Sequence, residues 1–144
     1  MSINTRTVAA TPDQVWDVLS DGWLYPVWVV GASRMREVDD RWPAAGAQLH
    51  HSVGAWPLLL DDTTEVVECH PGSMLRLRAH ARPFGTAEVV LRLQATGPDT
   101  EIVMEEDAVS GAGRLVPKPV RDVQLTWRNV EALRRLAYLA EGRS

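Results

Sequence analysis

Residues 118–141 read KPVRDVQLTWRNVEALRRLAYLAE, the longest helical pattern in the chain. At about 100° per residue, Val123, Trp127, Val130, Leu133, Leu136, Ala137, Leu139 and Ala140 share a broad apolar arc. Arg128, Glu131 and Arg135 fall on a narrower polar face. Lys118-Pro119 sets the start, because a first-turn proline loses only an N–H that has no intrahelical partner. Gly142 sets the end, where a helix terminus favours glycine. An arc this wide predicts burial on more than one side. Asn129 interrupts it. Either backbone or water satisfies its amide, or the helix roofs a cavity and Asn129 points into it.

What such a helix covers is written in the residues before it. From Gly31 to about Gly111 the pattern is strands, at 32–39, 46–54, 59–70, 73–81, 85–96 and 100–109. The breaks between them (DDRWPAAG, AWP, PG, RPFG and GPD) are turn chemistry. Connections this short predict antiparallel neighbours and exclude a parallel βαβ sheet. Alternation assigns the faces. Leu75, Leu77, Ala79 and Ala81 oppose Arg76, Arg78 and His80; Ala87, Val89, Leu91 and Leu93 oppose Glu88, Arg92 and Gln94; Ile102, Met104 and Ala108 oppose Glu101, Glu105 and Asp107. Pairing His80 with Thr86 sets Arg78 against Glu88, and pairing Thr96 with Glu101 sets Arg92 against Glu105. Opposite charges across a sheet face contribute about 0.2–1 kcal/mol each. Glu106 falls on the apolar face. A bulge could turn it outward, or it could pair with an arginine at the rim. Inside a cavity, desolvation would raise its pKa towards neutrality and fit it for acid–base work.

Towards the N-terminus, residues 3–10 read as a strand and 12–20 as a first helix. Thr11 is its N-cap, Pro12 its first residue, and Gln14 completes a capping box. A second short helix or turn follows at 22–29, where Pro26 forbids a long one. Residues 110–117, SGAGRLVP, form a loop; its Gly111-x-Gly113 pair lacks the third glycine and the βαβ setting of a nucleotide loop.

The 144 residues suit one domain, expected to span 1–144. Net charge −4, with scattered Arg and Lys, gives no electrostatic case for nucleic acid or an anionic membrane. No apolar run approaches the ~18 residues of a transmembrane helix, and the opening MSINTRTVAA has no apolar signal region. Cys69 is the lone cysteine, which fits a reducing, cytoplasmic setting. Six Trp stand against one Phe and two Tyr, and five of the six Trp lie in the first 56 residues.

Strand, two short helices, a run of antiparallel strands and one long C-terminal helix form an order that resembles a known family. The stretches that carry it are Val8 to Leu19 (VAATPDQVWDVL), Glu105 to Gly111 (EEDAVSG) and Arg128 to Arg134 (RNVEALR). They resemble the START-like, or SRPBCC, superfamily, with the helix-grip fold of birch-pollen allergens, and within it the polyketide cyclase/dehydrase and lipid-transport group. The latter two stretches look like a bacterial branch of single-domain proteins. The resemblance spans nearly the whole chain and implies an α+β helix-grip fold. A curved antiparallel sheet of about six or seven strands would wrap the C-terminal helix, with a cavity between them. It implies no single function, since fold does not settle function.

The chemistry is weighed on that frame. No histidine pair (among His50, His51, His70 and His80) has the spacing of a helical zinc site, and no paired CxxC exists; neither metal nor cofactor is expected. Cys69 reads as an inert thiol. His50 and His51 point to opposite faces, and Leu49 and Val53 assign His51 to the inside. Glu106, His51 and Asn129 are therefore the candidate base and donors for general acid–base catalysis. Trp23, Trp28, Trp42 and Trp56 are candidates for the mouth of a pocket; Leu77, Val89, Leu91, Met104, Trp127 and Val130 are candidates for its apolar wall, with Trp127 facing the sheet. The expectation is a carrier or sensor of a lipid- or polyketide-like molecule. The alternative is a polyketide cyclase/dehydrase-type enzyme. The expected partner is that hydrophobic ligand, and a homodimer is left open.

Overall fold

The computed structural model describes residues 2–29, 32–53, 60–81, 85–110 and 118–142. Its elements run β1 (Ser2–Val8), α1 (Pro12–Leu19), a 3₁₀ turn (Gly22–Leu24), α2 (Tyr25–Trp28), β2 (Ala32–Val38), β3 (Gln48–Val53), β4 (Leu60–His70), β5 (Met74–Ala81), β6 (Gly85–Thr96), β7 (Asp99–Ser110) and α3 (Lys118–Glu141). The seven strands form one curved antiparallel sheet in the order β1-β7-β6-β5-β4-β3-β2. The α+β helix-grip architecture expected from the sequence is the one observed.

Local chemistry explains the boundaries. Gln14 N donates to Thr11 Oγ1 at 3.3 Å and Thr11 N donates to Gln14 Oε1 at 2.7 Å, so the capping box starts α1 as read. Pairing of β5 with β6 sets His80 opposite Thr86 and Arg78 opposite Glu88. Glu88 bridges Arg76 at 3.0 Å and Arg78 at 3.5 Å. The β6–β7 register differs from the sequence reading. Thr96 pairs with Asp99 and Arg92 with Val103. Gly97 adopts φ 66°, which suits the first residue of a two-residue hairpin turn, so Gly97-Pro98 closes in two residues what was read as four. The shift is two residues, so every β7 side chain keeps its face.

The core lies between the concave face of the sheet and the helices. Leu49, Val66, Leu75, Leu77, Leu91, Ile102 and Met104 come from the strands, and Val15, Val18 and Leu19 from α1. Helix α3 packs on β1, β7, α1 and α2. Its buried ridge is Asn129, Ala132, Leu133, Leu136, Ala137 and Ala140, spaced three and four apart. The alanines let the helix approach closely. Glu141 ties its last turn to the start of the chain by accepting from Ala9 N at 3.0 Å.

The ridge corrects the arc read from the sequence. Trp127 is 66% exposed and Val130 51% exposed, so neither faces the sheet. Trp127 and exposed Tyr138 lie on the side of α3 opposite Asn129 and Leu136, and Val130 lies on the flank between. Trp28 is buried in the core rather than set at a mouth, and Trp42 is mostly buried there with one edge on a solvent-open recess. Trp42 is held there by its indole N–H, which donates to Leu19 O at 3.1 Å. Trp56 and the loop at 111–117 lie outside the described residues.

Candidate functional site

Strand β7 places Glu106 inside. Its pairing with β6 is regular from Met104↔Leu91 through Glu105↔Val90 to Glu106↔Val89, and the register shift falls elsewhere, between Thr86 and Ala87. No bulge turns Glu106 outward. Its side chain is 11% exposed, on the face of Ile102 and Met104. Burial raises its pKa above the ordinary carboxylate value. The Arg128 guanidinium and the Asn129 amide oppose that rise, and the Asp107 charge adds to it. Arg128 Nη2 stands 3.8 Å from Glu106 Oε1 and is partly in solvent.

Helix α3 brings Asn129 to the same place. It is 1% exposed. Its amide supports the Glu106 carboxylate as a hydrogen-bond donor would, although Nδ2 meets no acceptor with full hydrogen-bond geometry. The two residues on which the acid–base reading depends are thus neighbours in the interior.

His51 arrives from β3, on the face of Leu49, and is buried. It reaches the interior through two residues that the sequence reading gave no chemical role. Thr64 Oγ1 lies 2.8 Å from His51 Nε2 and 3.1 Å from Tyr25 Oη. A hydroxyl has one hydrogen and two lone pairs, so Thr64 donates to at most one of these neighbours and accepts from at least one. The Tyr25 and His51 rings lie 5.4 Å apart at 33°, and Trp28 meets Tyr25 edge-on. Burial pushes the Tyr25 pKa up to about 12; the Thr64 hydrogen bond opposes this and the Glu106 charge adds to it. Tyr25 is therefore a neutral phenol at physiological pH, and it feels Glu106 across the interior. A signal for Thr64 existed, since it shares strand parity with Val66; nothing local signals its pairing with Tyr25, 39 residues away.

The apolar candidates Leu77, Val89, Leu91 and Met104 are all buried on the concave face. Trp23 is 58% exposed. It lines a recess of about 360 Å³ open to solvent, with Ser20, Asp21, Gly22, Val38, Asp39, Asp40 and Trp42. Glu106, Asn129 and His51 are not among its lining residues. Among the described residues no three His, Cys, Asp or Glu side chains converge as metal ligands. Among the described residues no helix is long and apolar enough to cross a membrane.

A curved antiparallel sheet closed by a C-terminal helix, with polar groups buried between them, defines the START-like class. The model of the family "Polyketide cyclase / dehydrase and lipid transport" matches residues 4–141, and the chain belongs to that family. The chain is similar in structure to the Zhui aromatase/cyclase of a Streptomyces species, with 22% identity and a TM-score of 0.74, over 98% of this chain and 93% of that one. A protein from Thermus thermophilus aligns with 18% identity and a TM-score of 0.73, over 99% and 98%. One from Nitrosomonas europaea aligns with 18% identity and a TM-score of 0.74, over 98% and 94%. At these identities the likeness is one of fold. None of the curated proteins matches the chain.

Proposed function

We propose that the protein binds a hydrophobic small molecule, lipid- or polyketide-like, between the concave sheet and α3, as a carrier or sensor. The carrying observation is a polar pair kept in the apolar interior, the Glu106 carboxyl and the Asn129 amide, the amide 1% exposed and without a full-geometry hydrogen bond at Nδ2. Buried polar groups are normally fully paired, and a donor held short of full hydrogen-bond geometry in an apolar interior suits a ligand oxygen. Leu77, Val89, Leu91 and Met104 would supply the apolar wall. Family membership supports a ligand-binding or cyclase role at this coarser level. As the test, organic extracts of the purified protein are examined by mass spectrometry, and the protein is titrated with the neutral fluorophore Nile red. A co-purifying lipid or polyketide, or saturable probe binding, is expected. Protein that is empty and also fails to bind the probe contradicts the reading.

A second reading, a polyketide cyclase/dehydrase-type enzyme, draws on one observation: the pKa of Glu106 is raised by burial. Glu106 would be the base, with Asn129 and the Tyr25–Thr64–His51 chain polarising substrate oxygens. Once a substrate is in hand, turnover unchanged in Glu106→Gln removes Glu106 from that role.

A further inference from the structure

Helix α3 has an outer side that the buried ridge does not use. Trp127 and Tyr138 are each 66% exposed there, with 53% of the Arg134 side chain and 25% of the Glu131 side chain in solvent. At about 100° per residue these four span about 60° of the helix, opposite Asn129 and Leu136. They form a connected stripe. Arg134 pairs with Glu131 at 3.3 Å, and its guanidinium lies 5.8 Å from the centre of the Tyr138 ring. The order is Trp127, Glu131, Arg134, Tyr138, at intervals of four, three and four residues. Those intervals read the same in both directions, and the two inner positions carry opposite charges. Two copies of the helix can be laid antiparallel, with a twofold axis level with the midpoint between Glu131 and Arg134. Each Trp127 then stands level with the other copy's Tyr138, and each Glu131 level with the other copy's Arg134. A parallel pair would set Glu131 against Glu131 and Arg134 against Arg134.

We propose that this stripe is a self-association surface, on which a second copy of the chain docks its own α3 antiparallel to the first. Charge complementarity selects that occupant and that direction. Trp is the ring that cations favour most, so Trp127 of one copy closes on the Arg134–Tyr138 pair of the other. Trp, Tyr and Arg are also the side chains that carry most of the energy at protein interfaces. Large aromatic side chains bury about 150–250 Å² each, so two Trp127 and two Tyr138 bring together on the order of 500 Å². That is the low end for a specific contact and predicts a weak dimer in equilibrium with the monomer. The buried ridge is on the other side of α3, so association leaves the core untouched and does not depend on the ligand-binding reading.

Sedimentation velocity of the full chain from about 10 µM to about 1 mM tests it. A concentration-dependent rise towards the dimer is expected. Trp127→Ala is expected to weaken dimerisation by more than about tenfold. Glu131→Arg and Arg134→Glu are each expected to be monomeric alone, since the first sets arginines against arginines and the second carboxylates against carboxylates. Mixed in equal amounts, these two variants are expected to associate, because every inner position then meets its opposite. All three substitutions fall on the solvent side of the helix, and circular dichroism checks that each variant is folded. A chain that stays monomeric to about 1 mM overturns the proposal. So does a dimer that survives Trp127→Ala unchanged, or a mixture of the two charge variants that remains monomeric.

Discussion

Asn129→Leu should make the empty protein more stable and a poorer binder. The substitution keeps the branched heavy-atom skeleton and replaces the amide with methyl groups. Asn129 is 1% exposed and its Nδ2 meets no acceptor with full hydrogen-bond geometry, so its pull on the Glu106 carboxyl offsets only part of a desolvation penalty of about 1–3 kcal/mol. Methyls are somewhat bulkier than the groups they replace, and crowding takes back part of the gain. A net stabilisation of about 1 kcal/mol remains, or roughly 3 °C in melting temperature for a chain of this length. One coupling must be separated. The amide also lowers the Glu106 pKa, which favours the ionised carboxyl, and leucine removes that support. Calorimetry of Asn129→Leu alone and in a Glu106→Gln background closes a double-mutant cycle. Stabilisation should be larger in the Gln background, where no charge is at stake. Destabilisation by about 1 kcal/mol or more in both backgrounds would refute the reasoning, since the amide would then already be satisfied by the protein.

The Glu106 carboxyl has a raised pKa when folded, so the folded state holds its proton more tightly than the unfolded chain. Stability from this group is greatest in acid and falls as pH rises from the unfolded pKa through the folded one. Glu106→Gln removes that slope, and its melting temperature relative to the unmodified protein should be lowest in acid and climb towards neutrality; a flat difference would contradict a desolvated carboxyl. Thr64→Val strips the hydroxyl between His51 and Tyr25, and chemical denaturation should record a loss of about 1–3 kcal/mol. At Gly22 a Cβ would stand 2.7 Å from Leu49 Cδ2 and Val38 Cγ1, so Gly22→Ala should destabilise by about 1–3 kcal/mol through overpacking. Trp127→Ala should change stability by less than about 0.5 kcal/mol, because Trp127 stands in solvent; a loss of several kcal/mol would return it to the core.

Much of this arrangement is legible in the residues. Local signals fix local features: Lys118 and Glu141 bound α3 as read, and Thr11 with Gln14 starts α1. The inward parity of His51 and Glu106 survives in the structure, even though the β6–β7 pairing was misjudged. An error of two residues moves charges along a strand without moving them across the sheet. Helix α3 shows the opposite case. Its apolar residues cover so much of the wheel that composition alone cannot say which side meets the sheet, and Trp127 and Val130 were placed on the wrong one. The better guide was Asn129, seven residues from Leu136 and therefore on nearly the same line of the helix, where the buried ridge runs. The Tyr25–Thr64–His51 chain joins three separate elements, and only the tertiary fold assembles it.

The central claim is that a ligand enters between the sheet and α3 and meets the polar groups at Glu106 and Asn129. Two-dimensional ¹H–¹⁵N spectra recorded while cis-parinaric acid is added test it most directly, because the Asn129 side-chain amide and the indole N–H groups of Trp23 and Trp127 can be followed separately. The account predicts large shifts at the Asn129 amide and little change at the two solvent-facing indoles. Saturable shifts at Trp23 or Trp127 with a silent Asn129 amide would place binding on the surface and contradict it.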